Sequence, residues 1–406
     1  MGNKYIISFD QPGSVNPYSG KSKEELLEMY QPKVWETLED HEKMSLLEAT
    51  GKVYSDEKGV QNAPFFEQEL NDGLYGGYDG GTNTVTVNLK NCDNPFEALD
   101  TVAHEVTHAY QAESIQKGSG SYTEKELALL KAENGWAYES SGLAYDRQTL
   151  EQDSNNAGIR YVLASKERFQ GNASFQDYLH TREEHFQKNV EDYLNNYHEN
   201  CLSEMRQVEK AYRYGEITDE ERTQALSCII DRENSVKADM LNLQEEIQKA
   251  HHETAVNKEC QADLKRMAKD QHELFQSKLN QQNLDKRELQ SLQEKNDKAL
   301  RNLNYTKEAL GKEYHQKYDQ LRQYVTENNL TKERCQSDEK YQVYSRELSD
   351  LKNQQESCNY HISQLNTDNE MIQQNCAETG QSAGGQSSSL SSSQSSSEES
   401  AGIEMA

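Results

Sequence analysis

The last proline of this 406-residue chain is Pro95, and between Gly171 and Gly380 only Gly215 and Gly311 occur. A proline inside a helix removes an N–H donor and clashes with the preceding turn, and glycine weakens a helix through backbone entropy. A long stretch without either, rich in Gln, Glu, Lys and Leu, has few options other than long helices. The five prolines, Pro12, Pro17, Pro32, Pro64 and Pro95, all lie in the first quarter of the chain. The expected organisation is therefore an N-terminal domain over 1–170 and an extended helical, coiled-coil-like region over 171–378. A Ser/Gly/Gln-rich tail over 379–406 is expected to be disordered.

Inside the helical region, Gly215 and the run Thr218-Asp-Glu-Glu221 mark a helix–loop–helix junction with a capping box. Further breaks are expected near Gly311 and at Asn328–Thr331. Leu264, Met267, Leu274, Leu289, Leu292, Leu303 and Leu310 give partial a/d spacing without a sustained heptad. Antiparallel helices or an imperfect coiled coil follow, suited to self-association or partner binding. A partly disordered charged spacer is the other reading. His251 and His252 are adjacent, point to different helix faces, and are taken as surface residues.

Hydrophobic residues make up 33% of the chain and the formal net charge is -27. That charge argues against nucleic-acid backbone binding, which needs clustered Lys and Arg, and against docking on an anionic membrane. No apolar run approaches the length of a membrane span, and Met1–Phe9 is too short and too weakly charged for a signal peptide. The expected location is cytoplasmic, or exported by a route without a cleavable signal peptide. Seven scattered cysteines with no C-x-x-C pair fit reduced thiols better than a disulfide framework or a structural zinc site.

Within the N-terminal domain, Ser22 to Tyr54 carries a helical pattern that Pro32 splits. Tyr5–Phe9 reads as a short strand, and Phe65–Leu70 is ambiguous. Leu74 to Leu89 reads as a β-hairpin with a Gly/Asp-rich turn. Thr84–Leu89 alternates with period two, which points Val85, Val87 and Leu89 to the core. Asn94-Pro95-Phe96-Glu97 then reads as a helix start, with Asn94 at the N-cap and Glu97 closing a capping box. Phe96, Leu99, Val102, Ala103 and Val106 recur at helical spacing.

That helix carries His104-Glu105-Val106-Thr107-His108, an H-E-x-x-H motif. Histidines at i and i+4 share one helix face and can grip one metal ion. Zinc lowers the pKa of bound water toward about 7, and the adjacent Glu105 can take its proton. This is the chemistry of a zinc metallopeptidase. Such a zinc needs a third protein ligand, and no third histidine follows at metal-binding spacing. Glu133, Glu139 and Glu151 are the candidates. Glu139 shares a small-residue face with Ala132, Gly135 and Gly142. Asp153 or Asp100 can orient a histidine from behind. Tyr110, Tyr138 and Tyr145 are candidate donors to the oxyanion. The strand before the motif helix is expected to form an edge beside the cleft, where an extended substrate can pair.

Three segments carry a resemblance. They are Tyr75-x-x-Tyr78-Asp79-x-x-Thr82-Asn83-Thr84-x-x-Val87-Asn88, the run from Asn94-Pro95 through His104-Glu105-x-x-His108-Ala109-Tyr110-Gln111, and Tyr145-x-x-Gln148-x-x-Glu151-x-Asp153. Together they resemble the HExxH, gluzincin-like zinc metallopeptidase domains of bacterial polymorphic toxins and effectors. The resemblance covers roughly residues 70–160, with Trp136 near a tryptophan of that pattern. Thr107, Thr149 and Ser154 stand where that pattern has Arg, Pro and Ala. It implies an α+β fold whose N-terminal zincin-like domain precedes the all-α region. It also implies that Glu151 is the third ligand beside His104 and His108, and that a protein or peptide is the substrate. The opposing expectation is an acidic helical scaffold or interaction protein whose zincin-like domain does not turn over.

Overall fold

The computed structural model describes residues 16–70, 73–135, 138, 145, 148–280 and 285–382. The strand expected at Tyr5–Phe9, Trp136, Glu139, Gly142 and the tail beyond 382 lie outside them. Among the described residues the protein is mostly helical with one small sheet.

The first helical stretch breaks before Pro32, where a split into two helices is expected, and again after Trp35, giving three: α1 (Lys23–Glu28), α2 (Pro32–Trp35) and α3 (Asp40–Lys58). Ser22 closes a capping box with Glu25, and Gly59 ends α3 in a left-handed conformation. The sheet comprises β1 (Phe65–Glu67), β2 (Gly76–Asp79) and β3 (Thr84–Val87) in the order β1-β3-β2. β2 and β3 form the expected hairpin, with Gly76 opposite Val87 and Asp79 opposite Thr84. Val85, Val87 and Leu89 are buried, as the alternation requires. The ambiguous Phe65–Leu70 segment supplies β1, parallel to β3, with Phe65 opposite Val85. β3 is consequently the central strand. The expectation that it forms the exposed edge is corrected: among the described residues the edge on the hairpin side is β2.

A short 3-10 turn (Leu89–Asn91) leads into the motif helix α4 (Pro95–Lys117). Asn94 caps it by accepting from the Phe96 N–H at 3.0 Å, with Pro95 at the first position. Glu97 does not turn back to complete a capping box. Its carboxylate is buried and pairs with Arg182 instead. Phe96, Leu99, Val102, Ala103 and Val106 are essentially inaccessible.

Then follow α5 (Glu124–Glu133), α6 (Thr149–Leu163), α7 (Lys166–Phe169), α8 (Ala173–Asn195), α9 (Tyr197–Arg213) and α10 (Asp219–Asp231). Thr218 and Glu221 form the predicted capping box on α10. The chain continues through α11 (Glu233–Val256), α12 (Lys258–Asn280), α13 (Lys286–Glu327), α14 (Lys332–Ser337) and α15 (Glu339–Ser382). α13 runs unbroken through Gly311, contrary to expectation. The break at Asn328–Thr331 is present, with Asn329 at φ 47° and Thr331 capping α14. α13 and α15 pack antiparallel: Asn296 meets Asn369, Lys307 meets Gln355, and Lys317 meets Glu347.

One apolar cluster gathers residues from Tyr18 to Ala250, including Phe96, Leu99, Phe175, Tyr178, Leu243 and Ile247. Phe96 alone touches Phe169, Phe175 and Tyr178, at ring separations of 4.7, 5.1 and 6.4 Å. The motif helix is thus held between the α3–sheet side and helices α6 and α8. His251 is fully buried and stacked on Tyr305 at 3.5 Å, which corrects its reading as a surface residue. His252 is half-buried and bonds Glu313 at 3.0 Å.

Candidate metal centre

His104 and His108 project from one face of α4, with side-chain exposures of 16% and 15%. Their Nε2 atoms are 3.1 Å apart. Glu151, in the first turn of α6, places Oε2 at 3.7 Å from His104 Nε2 and 3.5 Å from His108 Nε2. The ligand atoms of all three lie within 4.8 Å of one another, and no other group of three such residues among the described residues does so. A tetrahedral zinc with bonds of about 2.05 Å requires ligand-to-ligand edges of about 3.3 Å. The three observed distances scatter around that value. Glu151 Oε2 and Glu105 Oε2 are buried without a hydrogen-bond partner, a costly state that a cation at this point would relieve. The group fits a metal ion.

Packing explains why α6 meets α4 here. A Cβ on Gly158 would fall 1.9 Å from Asp100 Oδ1, so only glycine allows this approach of the two helices. Glu133 anchors the start of α6 by accepting from the Thr149 and Leu150 N–H groups at 3.2 and 3.1 Å. It is thus a helix anchor lying apart from the two histidines, and of the alternatives to Glu151 only Glu139 lies outside the described residues.

Groups behind the histidines fix their orientation. Gln111 Nε2 donates to the Leu150 carbonyl at 3.0 Å and to Asp153 Oδ2 at 3.1 Å. Its Oε1 is left to accept from His108 Nδ1–H at 2.9 Å. His108 Nε2 therefore turns its lone pair to the site. Ser154 Oγ lies 3.3 Å from the same Nδ1, and Asn155 hydrogen-bonds His104. Glu151, Ser154 and Asn155 share one helix face at i, i+3 and i+4. Asp153 thus serves His108 through Gln111 rather than by direct contact. Asp100 does not orient a histidine: it accepts from Tyr178 at 2.8 Å and pairs with Arg182 Nε at 2.9 Å. Sequence reading missed Gln111, Ser154 and Asn155. The available signal for Gln111 was its place one turn after His108 on the same face.

The electrostatics follow from burial and crowding. Burial, helped by repulsion from His108, holds His104 down at about 3. Burial also opposes charge on His108, but Glu151 and Glu105 outweigh it and raise the group to about 9. Glu151 is lowered to about 2, since both imidazoles overcome its burial. Glu105, whose Oε1 lies 4.0 Å from His104 Nε2, is pushed up to about 7 mainly by burial, against the pull of His108.

Tyr138 donates to Glu151 Oε1 at 2.9 Å, and Tyr145 also bonds this carboxylate. Tyr110 does not face the site: its hydroxyl is engaged by Ser121. On the other flank, β2 packs directly against α4. A Cβ on Gly76 would sit 2.8 Å from Thr101 Cγ2 and 3.0 Å from Glu105 Oε1. The edge strand is thereby brought against the motif glutamate.

Comparison with protein-family models, with curated proteins and with solved structures gave no match. No described helix is long and apolar enough to cross a membrane.

Proposed function

We propose that the chain is a zinc-dependent metallopeptidase of the gluzincin-like, HExxH type, acting on a protein or peptide. The observation that carries this reading is the convergence of His104 Nε2, His108 Nε2 and Glu151 Oε2 beside the unpartnered Glu105 carboxylate. A bound zinc ion supplies Lewis acidity toward a peptide carbonyl and acidifies water.

The protein's own groups supply the rest. Glu105, held near neutrality, takes the proton of the attacking water and returns it to the departing amine nitrogen. Gln111 and Asn155 hold the imidazoles in the ligating orientation. Tyr138, 39% exposed, supplies the oxyanion donor by releasing the Glu151 carboxylate to which its hydroxyl now donates. An extended substrate backbone adds to the outer edge of β2, which brings its scissile bond toward Glu105. The resemblance noted above makes a toxin or effector role the matching biological setting.

The test is cleavage of an unfolded protein substrate by zinc-loaded protein. Glu105→Gln should keep zinc and lose at least about 100-fold in rate. Equal cleavage by the two would sink the mechanism.

A further inference from the structure

The loop between α4 and α5 delivers one side chain to the back of the metal centre. After Lys117 the chain reverses, and the Ser119 N–H donates to the Ser114 carbonyl at 3.2 Å. Gly120, at φ 147°, comes so close to α4 that a Cβ there would fall 2.7 Å from Ser114 Oγ and 3.1 Å from the Tyr110 hydroxyl. That hydroxyl in turn accepts from the Ser121 N–H at 2.6 Å. The next residue, Tyr122, has its ring centroid 5.4 Å from that of Tyr110 and its hydroxyl 2.5 Å from Asp153 Oδ2. A carboxylate only accepts, so the tyrosine donates.

A continuous hydrogen-bonded path results. Tyr122 donates to Asp153 Oδ2, the same oxygen accepts from Gln111 Nε2, and Gln111 Oε1 accepts from His108 Nδ1–H. Asp153 needs this second tether, because it lines a cavity of about 430 Å³ and has room to turn away from Gln111. Held in place, its charge polarises the Gln111 amide. The bond from Nδ1–H is strengthened, and Nε2 becomes a better electron-pair donor to a metal. The close approach at Gly120 and the anchor on Tyr110 fix where Tyr122 falls.

We propose that Tyr122 is a positioning residue that raises the zinc affinity of His108 through Asp153 and Gln111. The inference rests on the zinc-centre reading above and adds to it a regulator three hydrogen bonds from the metal ligand.

The test is zinc affinity of the full chain by chelator competition, with each variant shown folded by circular dichroism. Tyr122→Phe keeps the ring beside Tyr110 and loses the donor. It should weaken zinc binding by about three- to tenfold, less than the loss of a direct partner of a ligating histidine. Asp153→Ala should weaken it at least as much. The double variant should bind no more weakly than Asp153→Ala alone, since the tyrosine acts through that carboxylate. In the cobalt-substituted protein, Tyr122→Phe should also shift the visible absorption bands, which a merely structural role would not move. Unchanged zinc affinity in Tyr122→Phe, losses that add in the double variant, or unchanged cobalt bands each overturn the proposal and leave the zinc reading standing. Wild-type protein that binds no zinc overturns both.

Discussion

Gln111 decides which nitrogen of His108 faces the metal centre. Its amide N–H groups are committed to the Leu150 carbonyl and Asp153, so only its oxygen remains for His108 Nδ1. Replacing it by alanine removes that constraint and leaves Asp153 with the Tyr122 hydroxyl as its remaining donor. Gln111→Ala should lower zinc affinity by roughly 10- to 100-fold. Titration against a chelator of known affinity measures this, and unchanged affinity would show that the contact is incidental. Gly76→Val forces a side chain onto Thr101 and the Glu105 carboxylate. It should cost about 1–3 kcal/mol in urea unfolding and reduce hydrolysis more than zinc content. Full activity at wild-type stability would show that β2 is free to move off α4.

At the scale of elements, the site depends on how α6 docks on α4. Glu133 meets the first N–H groups of α6 and is itself fully buried. Glu133→Ala leaves those donors without a partner and should destabilise the fold by about 1–3 kcal/mol. Zinc should still bind at one ion per chain. Loss of zinc without loss of stability would make Glu133 a ligand after all.

The same elements show what a sequence can and cannot reveal. The H-E-x-x-H spacing, the Asn94–Pro95 start and the apolar stripe from Phe96 to Val106 obey local rules, so α4 and its histidines are readable in advance. The hairpin alternation likewise gives the burial of Val85 and Val87. The sheet order depends on β1, a three-residue strand whose pairing with β3 is a tertiary event. For that reason local alternation alone leaves β3 looking like an edge. Glu97 satisfies a local capping pattern, but a charge from α8 eighty-five residues away captures it. Gln111, Ser154 and Asn155 carry no motif of their own and acquire meaning only once α6 lies against α4. Gly311 could have broken α13, but packing against α15 holds the helix continuous.

Across the whole molecule, the main apolar core draws on both sides of residue 170. Phe175, Tyr178, Leu179, Leu243 and Ile247 pack with the residues of α3, α4 and the sheet. Removing them exposes a large apolar surface, at about 25 cal/mol for each Å² uncovered. A fragment of residues 1–170 should therefore unfold without a cooperative transition and bind a hydrophobic dye. A sharp transition with native-like stability would show that the N-terminal part folds alone.

Metal content tests the central claim most directly. Purified protein, loaded with zinc and then freed of excess, should hold one zinc ion per chain by elemental analysis. His104→Ala and Glu151→Ala, both folded, should hold essentially none. Wild-type protein without stoichiometric zinc, or a Glu151→Ala variant that retains it, would contradict the account.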